Sequence, residues 1–143
     1  EIAENPRTKF VAEFIGNNNI FGGVIKSRSG SIVFMESGEH VFYVRVPEHT
    51  RHVTVGRQAY FSVRADLMRT GDPNGMANQI TGKYITTEFM GSLETDVFEV
   101  GEGLIVQIEQ HRQASDRMYK MGEVETISWG AESGVLLDQA MPD

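Results

Sequence analysis

From Ile20 onward, apolar residues recur with a period of two in short runs divided by turn residues, and this restricts the chain to packed β-structure. In His40 to Val46, Phe42, Val44 and Val46 alternate with Val41, Tyr43 and Arg45. In Gln58 to Arg64, Ala59, Phe61 and Val63 alternate with Tyr60, Ser62 and Arg64. The same pattern predicts strands at Ile20 to Lys26, Ser31 to Glu36, Asn78 to Phe89, Leu93 to Val100, Leu104 to His111, Glu123 to Trp129 and Val135 to Asp138. About nine short strands with turns this frequent read as a sandwich or small barrel.

The punctuation agrees. Arg28-Ser29-Gly30, Ser37-Gly38-Glu39 and Gly101-Glu102-Gly103 are short enough for hairpin loops, and Pro47 ends a strand because it has no ladder donor. Asp72-Pro73-Asn74-Gly75 is turn chemistry at the centre of the longest irregular stretch, 66–77. Gly82, inside a strand run, predicts a bulge or barrel bend. Leu93, Thr95 and Val97 are expected to share one face, and Leu104, Val106 and Ile108 another.

Before Ile20 the period is different. Asn5 is a good N-cap, Pro6 suits the first helical position, and Phe10, Val11, Phe14 and Ile15 form one apolar stripe before Gly16. Asn17-Asn18-Asn19 then reads as a turn or hinge. A helix of about ten residues is marginal alone in water, so the stripe is expected to pack on something. The strand runs also repeat approximately. Phe21-Gly22-Gly23 answers to Ile80-Thr81-Gly82, and Val55-Gly56-Arg57 to Met121-Gly122-Glu123, which implies two similar β-units around the 66–77 crossover.

Composition narrows function by exclusion. The 143 residues make one domain-sized unit that buries roughly two thirds of its unfolded surface. The chain has no cysteine, which removes disulfides, thiolate zinc sites and cysteine nucleophiles. A net charge of −7 opposes a nucleic-acid partner, whose surface requires a clustered basic field. No apolar run reaches the roughly 18 residues of a membrane span. Glu1, not Met, opens the sequence, as in a piece of a longer gene product.

Chemistry-bearing motifs are sparse. His49 and His52, with Glu48 nearby, would need further ligands to hold a metal, and a polar loop explains them. His111 with Glu109 reads as a solvated strand edge. Asp66, Asp72, Glu94, Asp96, Glu99 and Glu102 fall in loops or alternate with apolar residues, as on a solvated β-face rather than in an acid–base pair. Neither a GxxxxGK[ST] loop nor GxGxxG is present, and Ser31 and Ser133 lack a nucleophile elbow. Phe42, Tyr43, Tyr60, Phe61 and Tyr84, some of them near Lys26, Arg28, Arg45, Arg57 and Arg64, could supply a base-stacking platform, but with the acidic balance a division between core and surface is the favoured reading. The residues alone give an all-β domain preceded by a short helix, with no catalytic, cofactor or metal residues.

Asn5-Pro6-x-x-x-Phe10-Val11-Ala12-x-Phe14-Ile15-Gly16, followed by Asn19-Ile20-Phe21, resembles the segment that ends the nucleotide-binding domain in ATPase subunits of ABC importers. Val63-Arg64-Ala65-Asp66-Leu67, Ile80-Thr81-Gly82 with Glu88-Phe89-Met90-Gly91, and Gly122-Glu123-Val124 resemble later motifs of that family, in order. Ala65 and Asp66 depart from the family's Pro and Glu. The resemblance implies a C-terminal regulatory TOBE domain, OB-like or molybdate-binding-protein-like. On this reading residues 1–19 are helix and hinge, residues 20–143 are the β-barrel, and the polyamine, sulfate and ferric-iron branch is the nearest. It further implies a homodimer, with Phe10, Val11, Phe14 and Ile15 as candidate domain or dimer packing residues, and ATP and magnesium confined to a separate nucleotide-binding domain. Contact with membrane subunits, a small regulatory ligand and a cytoplasmic place at the inner membrane are implied as well. A molybdate-type oxyanion sensor and an OB-type single-strand binder are the alternatives.

Overall fold

The computed structural model describes residues 18–48, 50, 53–71, 76–111 and 119–137. The expected helix, with Phe10, Val11, Phe14 and Ile15, lies outside them. Ten strands are formed: β1 (Asn18–Ser29), β2 (Ile32–Ser37), β3 (His40–Arg45), β4 (Gln58–Arg64), β5 (Arg69–Thr70), β6 (Asn78–Met90), β7 (Leu93–Val100), β8 (Leu104–His111), β9 (Val124–Trp129) and β10 (Gly134–Leu136). A 3-10 turn at Ala65–Leu67 links β4 to β5. Nine of the ten strands coincide with predicted runs to within three residues at either end. Asn18 and Asn19 are a correction, because they pair with Arg64 and Val63 as strand residues rather than forming a hinge.

The strands build a closed barrel, β1-β2-β3-β10-β4, and a five-stranded sheet, β5-β9-β6-β7-β8. Each unit starts from a three-strand meander, β1-β2-β3 or β6-β7-β8, and adds one antiparallel strand, β4 or β9, beside the first. The fifth strands are exchanged. β5 follows β4 in the chain yet pairs with β9, while β10 follows β9 yet pairs with β4 and, in parallel, with β3. Neither unit is complete from one continuous stretch of sequence.

The repeat read from the glycines is real in register. A bulge interrupts β1 between Ile25 and Ser27, and another interrupts β6 between Tyr84 and Thr86, each 59 residues after its counterpart (25 to 84, 27 to 86). At the first, Ile25 N–H donates to Arg57 O and Gly56 N–H to Ile25 O; at the second, Tyr84 N–H donates to Glu123 O and Gly122 N–H to Tyr84 O. Gly56 and Gly122 occupy φ of 90° and 86° at these matching turns, a region costly for residues with a Cβ. Gly82 is a second correction, since the bulge falls beyond it. It is glycine because a Cβ there would lie 3.1 Å from Phe98 Cβ and 3.2 Å from Ile127 Cδ1.

The alternation of β3 and β4 places Phe42, Val44, Ala59, Phe61 and Val63 inside the barrel, all buried. Trp129 of β9 joins this core to the second unit, stacking on Phe21 at 5.3 Å and Phe42 at 5.7 Å. One continuous core therefore serves both units.

Candidate functional site

Two buried asparagines tie the units together at equivalent positions, 19 and 78. Asn19 Nδ2 donates to Gln107 O at 2.8 Å, and Gln107 N–H donates to Asn19 Oδ1 at 2.8 Å. Asn78 Nδ2 donates to Tyr43 O at 3.0 Å, and Tyr43 N–H donates to Asn78 Oδ1 at 2.8 Å. A carboxamide carries the donor and acceptor of a peptide group, so each side chain extends the ladder of the other unit's third strand by one residue. The expected turn asparagines of 17–19 did not point to this, and the repeat as read from Phe21 and Ile80 did not include the two residues.

A cleft of about 190 Å³ opens between the units. Phe21 and Ile80, counterparts in the repeat, form its floor with Phe42. Its two walls are hairpin tips of unlike chemistry. One presents Ser37 and His40, whose ring stacks on Phe42 at 9°, and the other presents Val100 and Leu104. Such a cleft can hold an apolar body and hydrogen-bond a polar head at one end.

The units also differ inside. The barrel interior is apolar, whereas the second unit buries Glu94, Asp96 and Glu125. This corrects the solvated reading of Glu94 and Asp96. In β7, Phe98 is fully buried and sets the inward parity, which carries the two acids with it, while Leu93 and Thr95 are only half-buried. Thr87 Oγ1 donates to Asp96 Oδ1 at 2.7 Å, so the Tyr84 hydroxyl, in contact with the same oxygen, must be the donor to Thr87. Tyr84 packs on Tyr119 at 5.1 Å, and Tyr119 in turn shares a 2.6 Å hydrogen bond with Thr70 of β5. Glu94, Asp96 and Glu125 all have further partners within the chain. They form a satisfied polar core.

Other expected positions are dispersed. Asp66 pairs with Arg64 at 2.7 Å in the 3-10 turn, and Glu99 accepts from Gly103 N–H. Phe42 and Phe61 are core residues, while Tyr43, Tyr60 and Tyr84 are half-buried, so the five aromatics form no single platform. His49, His52 and Asp72 lie outside the described residues. Among the described residues no group of three His, Asp or Glu is placed to hold a metal, and no helix is long and apolar enough to cross a membrane.

No family model matches the chain. A spermidine/putrescine import ATP-binding protein, PotA of Treponema pallidum, is 28% identical over 96% of this chain and 40% of its own length. The putrescine transport ATP-binding protein PotG of Escherichia coli is 27% identical over 96% of this chain and 37% of its own length. The chain resembles ATP-binding subunits of polyamine importers. The likeness runs over nearly all of this chain, which spans about two fifths of those relatives, consistent with a C-terminal TOBE domain. In fold it is similar to the cytoplasmic molybdate-binding protein ModG in its molybdate-bound form, with a TM-score of 0.73 and 17% identity, covering 86% of this chain and 97% of that one. The OB-like, molybdate-binding-protein-like expectation stands.

Proposed function

We propose that this chain is the non-catalytic regulatory and dimerisation domain of an ATP-binding subunit in a bacterial polyamine importer. The observation that carries this reading is the asymmetry of coverage. Relatives named for spermidine and putrescine import match 96% of this chain but only 37–40% of themselves, and the sequence holds no phosphate-loop motif. ATP and magnesium then belong to a separate nucleotide-binding domain, and the membrane subunits are met through the full-length protein. Dimerisation is supported by the second sheet, which ends in β5 and β8 rather than closing on itself, although Asn19 and the 3-10 turn cover part of the β8 edge. Phe10, Val11, Phe14 and Ile15 are the residues proposed to pack on the nucleotide-binding domain or the second subunit.

Removing this region from the full-length subunit tests the reading. ATP hydrolysis is expected to persist while its response to polyamine is lost. Loss of hydrolysis, or hydrolysis whose response to polyamine is unchanged, would overturn it. Light scattering on the chain is expected to give twice the monomer mass, and a monomer at every concentration removes the dimerisation role.

A second reading, a small-ligand or oxyanion sensor, is favoured by the inter-unit cleft with Ser37 and His40 on one wall. Calorimetry with molybdate, sulfate and spermidine separates the two. Heat from any of the three supports the sensor, and no heat from any of them leaves the domain a purely structural part of the importer subunit.

A further inference from the structure

The two units close their seams differently. In the barrel, the third and fifth strands are joined by backbone, with Val135 of β10 in parallel register with Arg45 of β3. In the second unit the corresponding strands, β8 and β5, lie at opposite ends of the sheet order with no ladder between them. Their seam is spanned instead by the 3-10 turn, which packs on β8, by the fully buried Met68, and by the carboxamide of Asn19. Asn19 Nδ2 reaches both Gln107 O at 2.8 Å and Met68 Sδ at 3.0 Å, while Asn19 Oδ1 accepts from Gln107 N–H.

Asn19 belongs by its backbone to the barrel, where it pairs with Val63. Its side chain belongs to a strand 88 residues away. It is also the second residue of β1, at the point where the chain enters the fold as described. Asn78 makes the matching contact to Tyr43, but the seam it serves has the β3–β10 ladder as well. The two clamps are equivalent in sequence and unequal in consequence.

We propose that Asn19 is the latch of the second unit: its carboxamide holds β8 against Met68, so that displacing the start of β1 loosens β8 and uncovers the polar interior behind it. This use of the latch rests on the regulatory reading. Within that reading, a signal arriving through the segment ahead of β1 and a change in the second unit become two ends of one equilibrium, each biasing the other by the same factor.

Amide hydrogen exchange on the 143-residue chain tests the latch. In Asn19→Ala, exchange at Gln107 and along β8 is expected to rise about tenfold, the factor corresponding to one net hydrogen bond, with β2 and β3 unchanged. Asn78→Ala is expected to raise exchange at Tyr43 and leave β8 as in the wild type. Asn19→Ser shortens the side chain, so that it no longer reaches Gln107, and keeps a polar group at the position. It should show the same selectivity, and it serves if Asn19→Ala does not fold. Unchanged β8 exchange in the Asn19 variants, or an equal rise across both units, overturns the proposal. Failure of the regulatory reading looks different: β8 exchange rises as expected, yet the full-length subunit carrying Asn19→Ala hydrolyses ATP with an unaltered polyamine response.

Discussion

At Thr87 a single hydroxyl proton decides the wiring of the second unit's interior. It goes to Asp96, which obliges Tyr84 to donate to Thr87 and orients the chain of hydrogen bonds toward the buried carboxylate. Thr87→Val keeps the shape and removes both bonds, so a loss of about 1–3 kcal/mol is expected, since a buried acceptor is then under-satisfied. Urea unfolding monitored by far-UV circular dichroism measures it, and a midpoint equal to the wild type's would show that Asp96 does not depend on this donor. Gly82 is the steric counterpart. Its absent Cβ leaves room for Phe98, Ile127 and Val100, all within 3.3 Å of where that atom would stand, so Gly82→Val overpacks the core and is expected to cost about 1–3 kcal/mol in the same assay. These residues also show where reading the sequence succeeds. Phe42, Val44, Phe61 and Val63 were legible because their strands are apolar on one parity only. Leu93 and Val97 against Phe98 and Val100 gave two apolar parities in one strand, and the charges of Glu94 and Asp96 favoured the wrong one. Nothing local to Asn19 or Asn78 announces a clamp, because the backbone group each one meets is distant in sequence.

At the scale of elements, the shortest strands decide the architecture. β10 is three residues long, and it sits between β3 and β4 as the strand that closes the barrel. A chain ending before Gly134 is expected to lose its cooperative thermal transition, because two interior strand edges and the Phe61 and Val63 side chains beside Gly134 are uncovered together. Retention of a single transition at the wild-type temperature would show that the barrel closes without it. β5 is shorter still, with two residues, and no period can be read from two positions, which is why the sequence showed nine runs and not ten. Of the longer strands, β6, β7 and β8 were bounded to within a residue by their turn residues, whereas β1 runs past its expected ends to Asn18 and Ser29; the matching glycines, 23 with 82 and 56 with 122, pointed to the duplication. The exchange of fifth strands was not legible, because each unit's own pattern is indifferent to which copy of the fifth strand it receives.

At the scale of the whole molecule, the exchanged strands make the two halves dependent on one another. Separate fragments spanning residues 18–71 and 76–137 are each expected to lack sheet structure in circular dichroism and to regain it when mixed. A cooperative melt from either fragment alone would contradict that dependence. Trp129, the single tryptophan, is fully buried at the junction of the two units, so its fluorescence should report one transition coincident with loss of sheet signal. A fluorescence change that precedes the loss of sheet would mean that the junction opens before either unit unfolds. The position of β10 carries a last consequence, one of timing. A ribosome delivers Gly134–Leu136 more than a hundred residues after it has delivered the start of β1. Until then β3 and β4 wait with bare edges, so the barrel cannot close as its first four strands emerge and must wait for β10. Nascent chains of this kind are slow, non-local folders exposed to edge pairing with their neighbours, and their yield in the cell should depend on chaperone capacity more than on the stability of the finished fold.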